Sequence, residues 1–371
     1  MAMHDEPILL TPGPLTTSAR VKQTLPQDWG SRDPAFVALT GRVLDGVREV
    51  AGAGADYAAV PVQGSGTFAV EAMLGTLVAP DVGVLVLVNG AYGQRIAEIC
   101  RRIGRHHQVY EVAETEVHDM AELTRRLEDA PEIGFVAAVH CETTSGLLNP
   151  LAEIARTVRE AGRELLVDSM SGFGALPIDA SELAFAGLTA SANKCLQGVP
   201  GLGFVLCRRE LLDRCAGHAH SLVLDLYLQE QALAGDGQWR FTPPVQVMAA
   251  LDAALAELAE EGGPSARLAR YTENCDTLLA GMTQLGFVSA LPRDRQAPVI
   301  VSFLEPQEGW FEFSRFYDAL RQRGYAIYAG KMRQHGTFRV GTIGAITPET
   351  MHGFLEAVGA VITEMKQKLI A

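Results

Sequence analysis

Cysteine is sparse and scattered in this chain: Cys100, Cys141, Cys195, Cys207, Cys215 and Cys275 form no CxxC pair. Such spacing supplies neither a zinc site nor a disulfide framework, and it reads as reduced thiols in a cytosolic enzyme. Long apolar runs are missing as well. Val82–Val88 and Phe135–Val139 fall far short of the roughly 20 residues that cross a bilayer as a helix. The start, Met1 to Pro7, carries His4, Asp5 and Glu6 in place of the basic region of an export signal. Positive charge is in deficit, with 31 Lys and Arg against 44 Asp and Glu, a net −13. On average such a surface repels nucleic acid and acidic membranes. A soluble, cytoplasmic protein with neither as a partner is expected.

What is present suffices for a sizeable core: 371 residues, 48% of them hydrophobic, exceed the usual length of one domain. The organisation expected is an N-terminal segment (1–15), a large cofactor-binding domain (16–250) and a small C-terminal α+β domain (251–371). From Tyr57 to about Cys207, short apolar or β-branched runs alternate with amphipathic stretches, the signature of an α/β domain with a mainly parallel sheet. Seven strands are predicted: Ala58–Val62, Val84–Val88, His107–Val112, Gly134–His140, Leu165–Asp168, Gly187–Ala190 and Gly203–Cys207. Helices are predicted between them at Phe68–Leu77, Gln94–Ile103, Met120–Leu127 and Leu151–Ala161. Beyond Pro243-Pro244, an alanine-rich helix over Val245–Glu261 leads through Gly262-Gly263-Pro264 to a second helix ending near Leu285. Strands near Val299–Phe303, Ala326–Tyr328 and Thr337–Val340 and a helix from Pro348 complete the pattern.

Four constellations carry chemistry. Gly64-Ser65-Gly66-Thr67 joins a predicted strand to a predicted helix, where free backbone N–H groups and two hydroxyls make an anion cradle suited to phosphate. By itself such a turn serves equally for steric reasons. With Phe68-Ala69 it also fits the GxGxxA dinucleotide fingerprint, which expects an acidic residue after the next strand; here that strand ends in Asn89-Gly90. Asp168 closes an apolar strand, where open α/β sheets collect ligands, and it is suited either to capping a helix or to keeping a pyridine nitrogen protonated. Lys194 follows 26 positions later among small neighbours, Thr189 to Cys195. A desolvated amine there is suited to Schiff-base chemistry, although most lysines simply reach solvent. Cradle, acid and lysine in this order form the working set of a pyridoxal phosphate enzyme. Fourth, Arg339 lies inside the apolar strand pattern Phe338-Arg339-Val340-Gly341, so it must either find an anion, such as a carboxylate or phosphonate, or sit at an edge in water.

These residues, together with Thr11-Pro12-Gly13-Pro14, Asn89-Gly90-Ala91-Tyr92-Gly93, His140 to Gly146 and Ser191-Ala192-Asn193-Lys194, resemble the class V aminotransferases in order and spacing, nearly end to end. The resemblance implies a fold-type I homodimer that depends on pyridoxal 5'-phosphate, with active sites at the subunit interface. It further implies that Lys194 carries the cofactor, that Ser65, Gly66 and Thr67 hold its phosphate with help from Asn193, and that Thr242 arrives from the neighbouring chain. Tyr92 and Met170 would lie on the two ring faces, Thr143 near the ring hydroxyl, Asp168 at the ring nitrogen, and Arg339 on the substrate. The longer strings Leu10 to Ser18 and Ala192 to Gly201 resemble the branch whose substrates are 2-aminoethylphosphonate and pyruvate, with Lys331, Arg333 or Arg240 as a second cation for the phosphonate.

Three departures from that pattern weaken the substrate more than the cofactor: Cys141 in place of a small hydroxyl residue, Gly172 in place of serine, and Pro244-Val245-Gln246 after Thr242-Pro243. An alanine– or serine–glyoxylate aminotransferase is the alternative within the family. A lyase such as a cysteine desulfurase needs a mobile nucleophilic cysteine, and neither Cys195 nor Cys275 suits. A ligand-binding regulator would bring a DNA-binding segment for which this acidic chain has no room.

Overall fold

A computed structural model describes residues 6–333 and 335–370. His4 and Asp5, part of the stretch read above for an export signal, lie outside the described residues. No described helix is long and apolar enough to cross a membrane.

A seven-stranded sheet forms from Tyr57–Gln63 (β1), Gly83–Val88 (β2), His107–Glu111 (β3), Ile133–Val139 (β4), Glu164–Asp168 (β5), Gly187–Ser191 (β6) and Leu202–Arg208 (β7). Its spatial order is β1-β7-β6-β5-β4-β2-β3. Only β7 is antiparallel, to both β1 and β6, so the sheet is mainly parallel as expected. Central strands such as β2 are buried along their whole length, which is why they read as unbroken apolar runs. Alternate side chains feed two cores: Leu85, Leu87, Val136 and Val167 on one face, Val84, Val86, Ala137 and Leu166 on the other. Helices Gly66–Leu77 and Ala91–Arg102 cover the second face, while Pro34–Val50, Leu151–Glu160 and Val245–Glu261 cover the first. The chain order reverses direction between β2 and β4. There the carboxyl ends of adjacent strands diverge into a crevice, the expected place for a ligand in an open α/β sheet.

Toward the C-terminus a second sheet has Thr337–Gly341 as its middle strand, flanked by Ile300–Leu304 and Tyr328–Ala329. Helices Gly263–Gln284, Phe313–Gln322 and Pro348–Ile370 pack on it around Phe303, Phe316, Phe338 and Phe354. The single strand expected over Ala326–Tyr328 is in fact two. Tyr325–Ala326 pairs with Ile8–Leu9 and Tyr328–Ala329 pairs with the middle strand, with buried Ile327 between them, because the chain changes partner at that point. Residues 8–10 therefore belong to the C-terminal core, into which Leu10 is fully buried. Helices Ala19–Gln23, Pro34–Val50, Leu226–Asp236 and Phe313–Gln322 occupy stretches where the sequence reading named no element.

Candidate active site

The carboxyl ends of β1, β2, β5 and β6 converge on a cavity of about 220 Å³ lined by Gly13, Ser65, Gly66, Thr67, Tyr92, Arg95, Asp168, Met170, Ser191, Asn193 and Lys194, among others. Eight of the residues singled out from sequence thus share one hollow: Ser65, Gly66, Thr67, Tyr92, Asp168, Met170, Asn193 and Lys194. Ser65 is the N-cap of helix Gly66–Leu77, yet its hydroxyl makes no capping hydrogen bond. The first N–H groups of any helix lack intrahelical acceptors, so this turn presents unspent donors to the cavity. Glycine at position 66 leaves room for Met170, whose Sδ would lie 2.2 Å from a Cβ there, so a larger residue would displace that side chain. The Arg95 guanidinium reaches the same end, donating to the Thr67 Oγ1 at 3.3 Å.

Lys194 Nζ donates to the carbonyls of Pro12 at 2.8 Å and Gly13 at 3.3 Å. Burial pulls its pKa below the ordinary lysine value; Tyr92, Cys195 and Asp168 pull the other way. A lysine so placed keeps a larger fraction of neutral, nucleophilic amine than one in water. Asp168 is buried, and its side chain accepts one hydrogen bond, from the Met170 N–H at 2.9 Å. Burial raises its pKa, opposed by that N–H and by the charges of Arg95 and Lys194. A carboxylate in this position gains from a protonated partner inside the cavity. Ser191 Oγ, also on the cavity wall, is buried without a hydrogen-bond partner. Uncapped cradle, under-paired carboxylate, orphan hydroxyl and low-pKa amine in one hollow fit a phosphorylated pyridine aldehyde.

Tyr92 lies in the first turn of helix Ala91–Arg102, with the Arg95 Cζ 4.9 Å and the Lys331 Nζ 5.6 Å from its ring centroid. Burial raises its pKa, but hydrogen bonding with the Thr143 side chain and the charges of Lys331, Lys194 and Arg339 outweigh this and hold it below the ordinary phenol value. Thr143 and Arg339 sit behind Tyr92 rather than on the cavity wall, joined by a hydrogen bond from the Arg339 Nη1 to the Thr143 carbonyl at 3.0 Å. Arg339 is 3% exposed in the middle strand of its sheet, so the edge alternative left open by the sequence is excluded. Its other hydrogen bond also goes to a neutral carbonyl, that of Ala329 at 3.0 Å, and burial depresses its pKa. By contrast, buried Arg267 has a carboxylate partner, Glu261, at 2.7 Å. Thr242 is exposed and does not line the cavity.

Several contributors escaped the sequence reading. Glu142, fully buried, accepts from the N–H groups of Tyr92 (3.2 Å) and Gly93 (3.4 Å) and from the Thr144 hydroxyl (2.7 Å), tying the start of the Tyr92 helix to the Thr143 loop. A carboxylate at a helix N-terminus also complements the helix dipole. His140 donates its backbone N–H to the Asp168 carbonyl at 2.8 Å, and burial pushes its imidazole down to about 4, so it is neutral at pH 7. The one available signal was their place in the run His140 to Gly146 after β4. Cys141 packs with Leu15, Ala175 and Cys195. All six cysteines are free and buried, so none is placed as a mobile nucleophile, and no described cluster of His, Cys, Asp or Glu is suited to a metal.

Comparison with known proteins places this geometry in context. The family profile for class V aminotransferases matches residues 37–339. A 2-aminoethylphosphonate–pyruvate transaminase of Pseudomonas putida is 50% identical over 364 residues, 98% of this chain and 99% of that protein. A 2-aminoethylphosphonate–pyruvate transaminase 1 from a Polaromonas species is also 50% identical, over 99% of each chain. Among solved structures, pyridoxamine–pyruvate aminotransferase from Mesorhizobium loti superposes with a TM-score of 0.89 at 26% identity, covering 99% of this chain and 94% of that one.

Proposed function

The chain belongs to the class V aminotransferases, and from that premise we propose that it moves the amino group of 2-aminoethylphosphonate to pyruvate, giving phosphonoacetaldehyde and L-alanine. The observation that carries this reading is the half-identity, over nearly the whole chain, to relatives named for that reaction. Pyridoxal 5'-phosphate, when bound, supplies an aldehyde that takes up the amine and a ring that withdraws electrons from the carbon bearing it.

In this reading Ser65, Gly66 and Thr67 hold the phosphate with Asn193, and Asp168 keeps the ring nitrogen protonated. Tyr92 and Met170 would lie against the ring, and Thr143 would support its hydroxyl. Lys194 Nζ would take a proton from the substrate carbon that bears the amine and hold it for return at the far end of the 1,3-shift. The Pro12 and Gly13 carbonyls stand ready to receive its ammonium. Arg339 holds phosphonate and carboxylate in turn, which suits a ping-pong exchange in one pocket. Residues 16–250 are assigned to the cofactor and residues 251–371, with the segment 1–15, to closing the site over substrate. An assay pairing loss of 2-aminoethylphosphonate with formation of L-alanine from pyruvate tests the reading. Alanine formation that requires both compounds supports it, and none contradicts it.

The working unit is proposed to be a homodimer. Beside the cradle lies a hollow of about 430 Å³ lined by Gly64, Phe68, Val223, Trp239 and Phe241. Phe68 is 50% exposed and Val223 66%. An apolar patch of this kind next to a functional site suits a second copy of the chain. Thr242 adjoins Phe241 and would reach the partner's phosphate site. Thr242→Ala should weaken cofactor retention by about tenfold, the scale of one hydrogen bond to a charged group. Sedimentation is expected to give a dimer; a fully active monomer would contradict both assignments.

A further inference from the structure

We propose that Lys331 supplies the second positive charge for the substrate phosphonate and makes the site prefer a dianion to a carboxylate; this rests on the substrate reading above. A phosphonate that has lost both protons carries two negative charges and three acceptor oxygens, whereas Arg339 offers one charge and already spends donors on the carbonyls of Ala329 and Thr143. A second cation is therefore needed, and the three lysine and arginine candidates differ in where they point.

Arg240 donates to the Leu222 carbonyl at 3.1 Å and lies over the Phe241 ring, away from the cavity. Arg333 is drawn toward the end of β3: its N–H donates to Glu114 at 3.0 Å and its guanidinium lies 3.7 Å from Glu111. Arg95 is taken by Thr67 at the cofactor-phosphate end. Of the three candidates, Lys331 is the one over the ring of Tyr92, a cavity-lining residue, with its ammonium 5.6 Å from the ring centroid. Its charge is felt by both Tyr92 and Lys194. Its position is set by the backbone. Tyr328 is the register partner of Arg339, and the Gly330 N–H donates to the Thr337 carbonyl at 2.7 Å. A Cβ on Gly330 would meet Thr337 Oγ1 at 1.9 Å, so glycine is required where the chain leaves this edge strand. Lys331 thus starts one residue beyond a fixed point, just past the strand that pairs with Arg339, and a flexible ammonium there can close on an oxygen that Arg339 leaves free.

The test titrates holoenzyme with ethylphosphonate and with propionate, which lack an amine and cannot react, using calorimetry. In Lys331→Gln, affinity for ethylphosphonate should fall about tenfold or more while that for propionate changes less than about twofold, and Lys331→Arg should recover most of the loss. An equal loss for both anions, or no loss for either, overturns the proposal. The substrate reading fails separately: Lys331-dependent binding of ethylphosphonate by an enzyme that 2-aminoethylphosphonate does not convert leaves the dianion site standing and removes the proposed amine donor.

Discussion

Lys194→Ala is expected to lower turnover by at least about 10²–10⁴-fold, the range supplied by one positioned acid–base group, with further loss because the same amine anchors the cofactor. The effect follows from position. The Nζ lies in the hollow that also holds Asp168 and the phosphate cradle, its pKa is depressed by burial, and only two backbone carbonyls compete for its protons. Among the described residues no other lysine lines this cavity. Borohydride reduction of the purified protein should fix a pyridoxyl group on the peptide containing Lys194 and bleach the visible band. An adduct on another residue, or a Lys194→Ala variant that keeps wild-type turnover, would contradict the assignment.

Arg339→Lys is expected to slow both half-reactions, by about tenfold to a hundredfold each, through the loss of one or two charge-assisted hydrogen bonds. Lysine keeps the charge but not the planar fork, and it cannot hold the Ala329 and Thr143 carbonyls while also gripping an anion. Because Thr143 packs against Tyr92, part of the loss should appear as a change in the cofactor's absorption as well as in substrate capture. Single-turnover measurements with 2-aminoethylphosphonate and with L-alanine separate the two half-reactions. A variant impaired toward only one would show that the two substrates do not share this cation.

The large sheet was legible because its strands are buried on both faces, so Val84–Val88 and Leu165–Asp168 read as unbroken apolar runs whose ends shift by only a residue in the structure. Helix Pro34–Val50 was missed although it carries its own start signal, an Asp33 cap accepting from Ala35 at 2.8 Å followed by proline at the first helical position. The division of Tyr325–Ala329 between two partners could not be read locally, because it depends on Ile8–Leu9 arriving from the far end of the chain. In the site, Lys194, Asp168 and the turn at Ser65–Thr67 were legible as a set, since a strand end followed by small residues announces a crevice. Whether Arg339 stood in the centre or at the edge of its sheet was not, because that depends on strand order. Glu142, Pro12 and Gly13 stood inside strings that the sequence singled out, but their roles, like that of Arg95, were not legible for a similar reason: those roles exist only once β2, β4, β6 and the N-terminal segment have met.

The most direct test of the account is to present the cofactor-loaded enzyme with 2-aminoethylphosphonate, L-alanine and L-serine in separate experiments, without a keto acid, and to follow conversion of the cofactor to its amine form by absorbance. Rapid conversion by 2-aminoethylphosphonate and by L-alanine, the reverse of the pyruvate half-reaction, is the result expected. Rapid conversion by serine with none by the phosphonate would contradict the proposed substrate and move the protein to the glyoxylate-linked branch of its family.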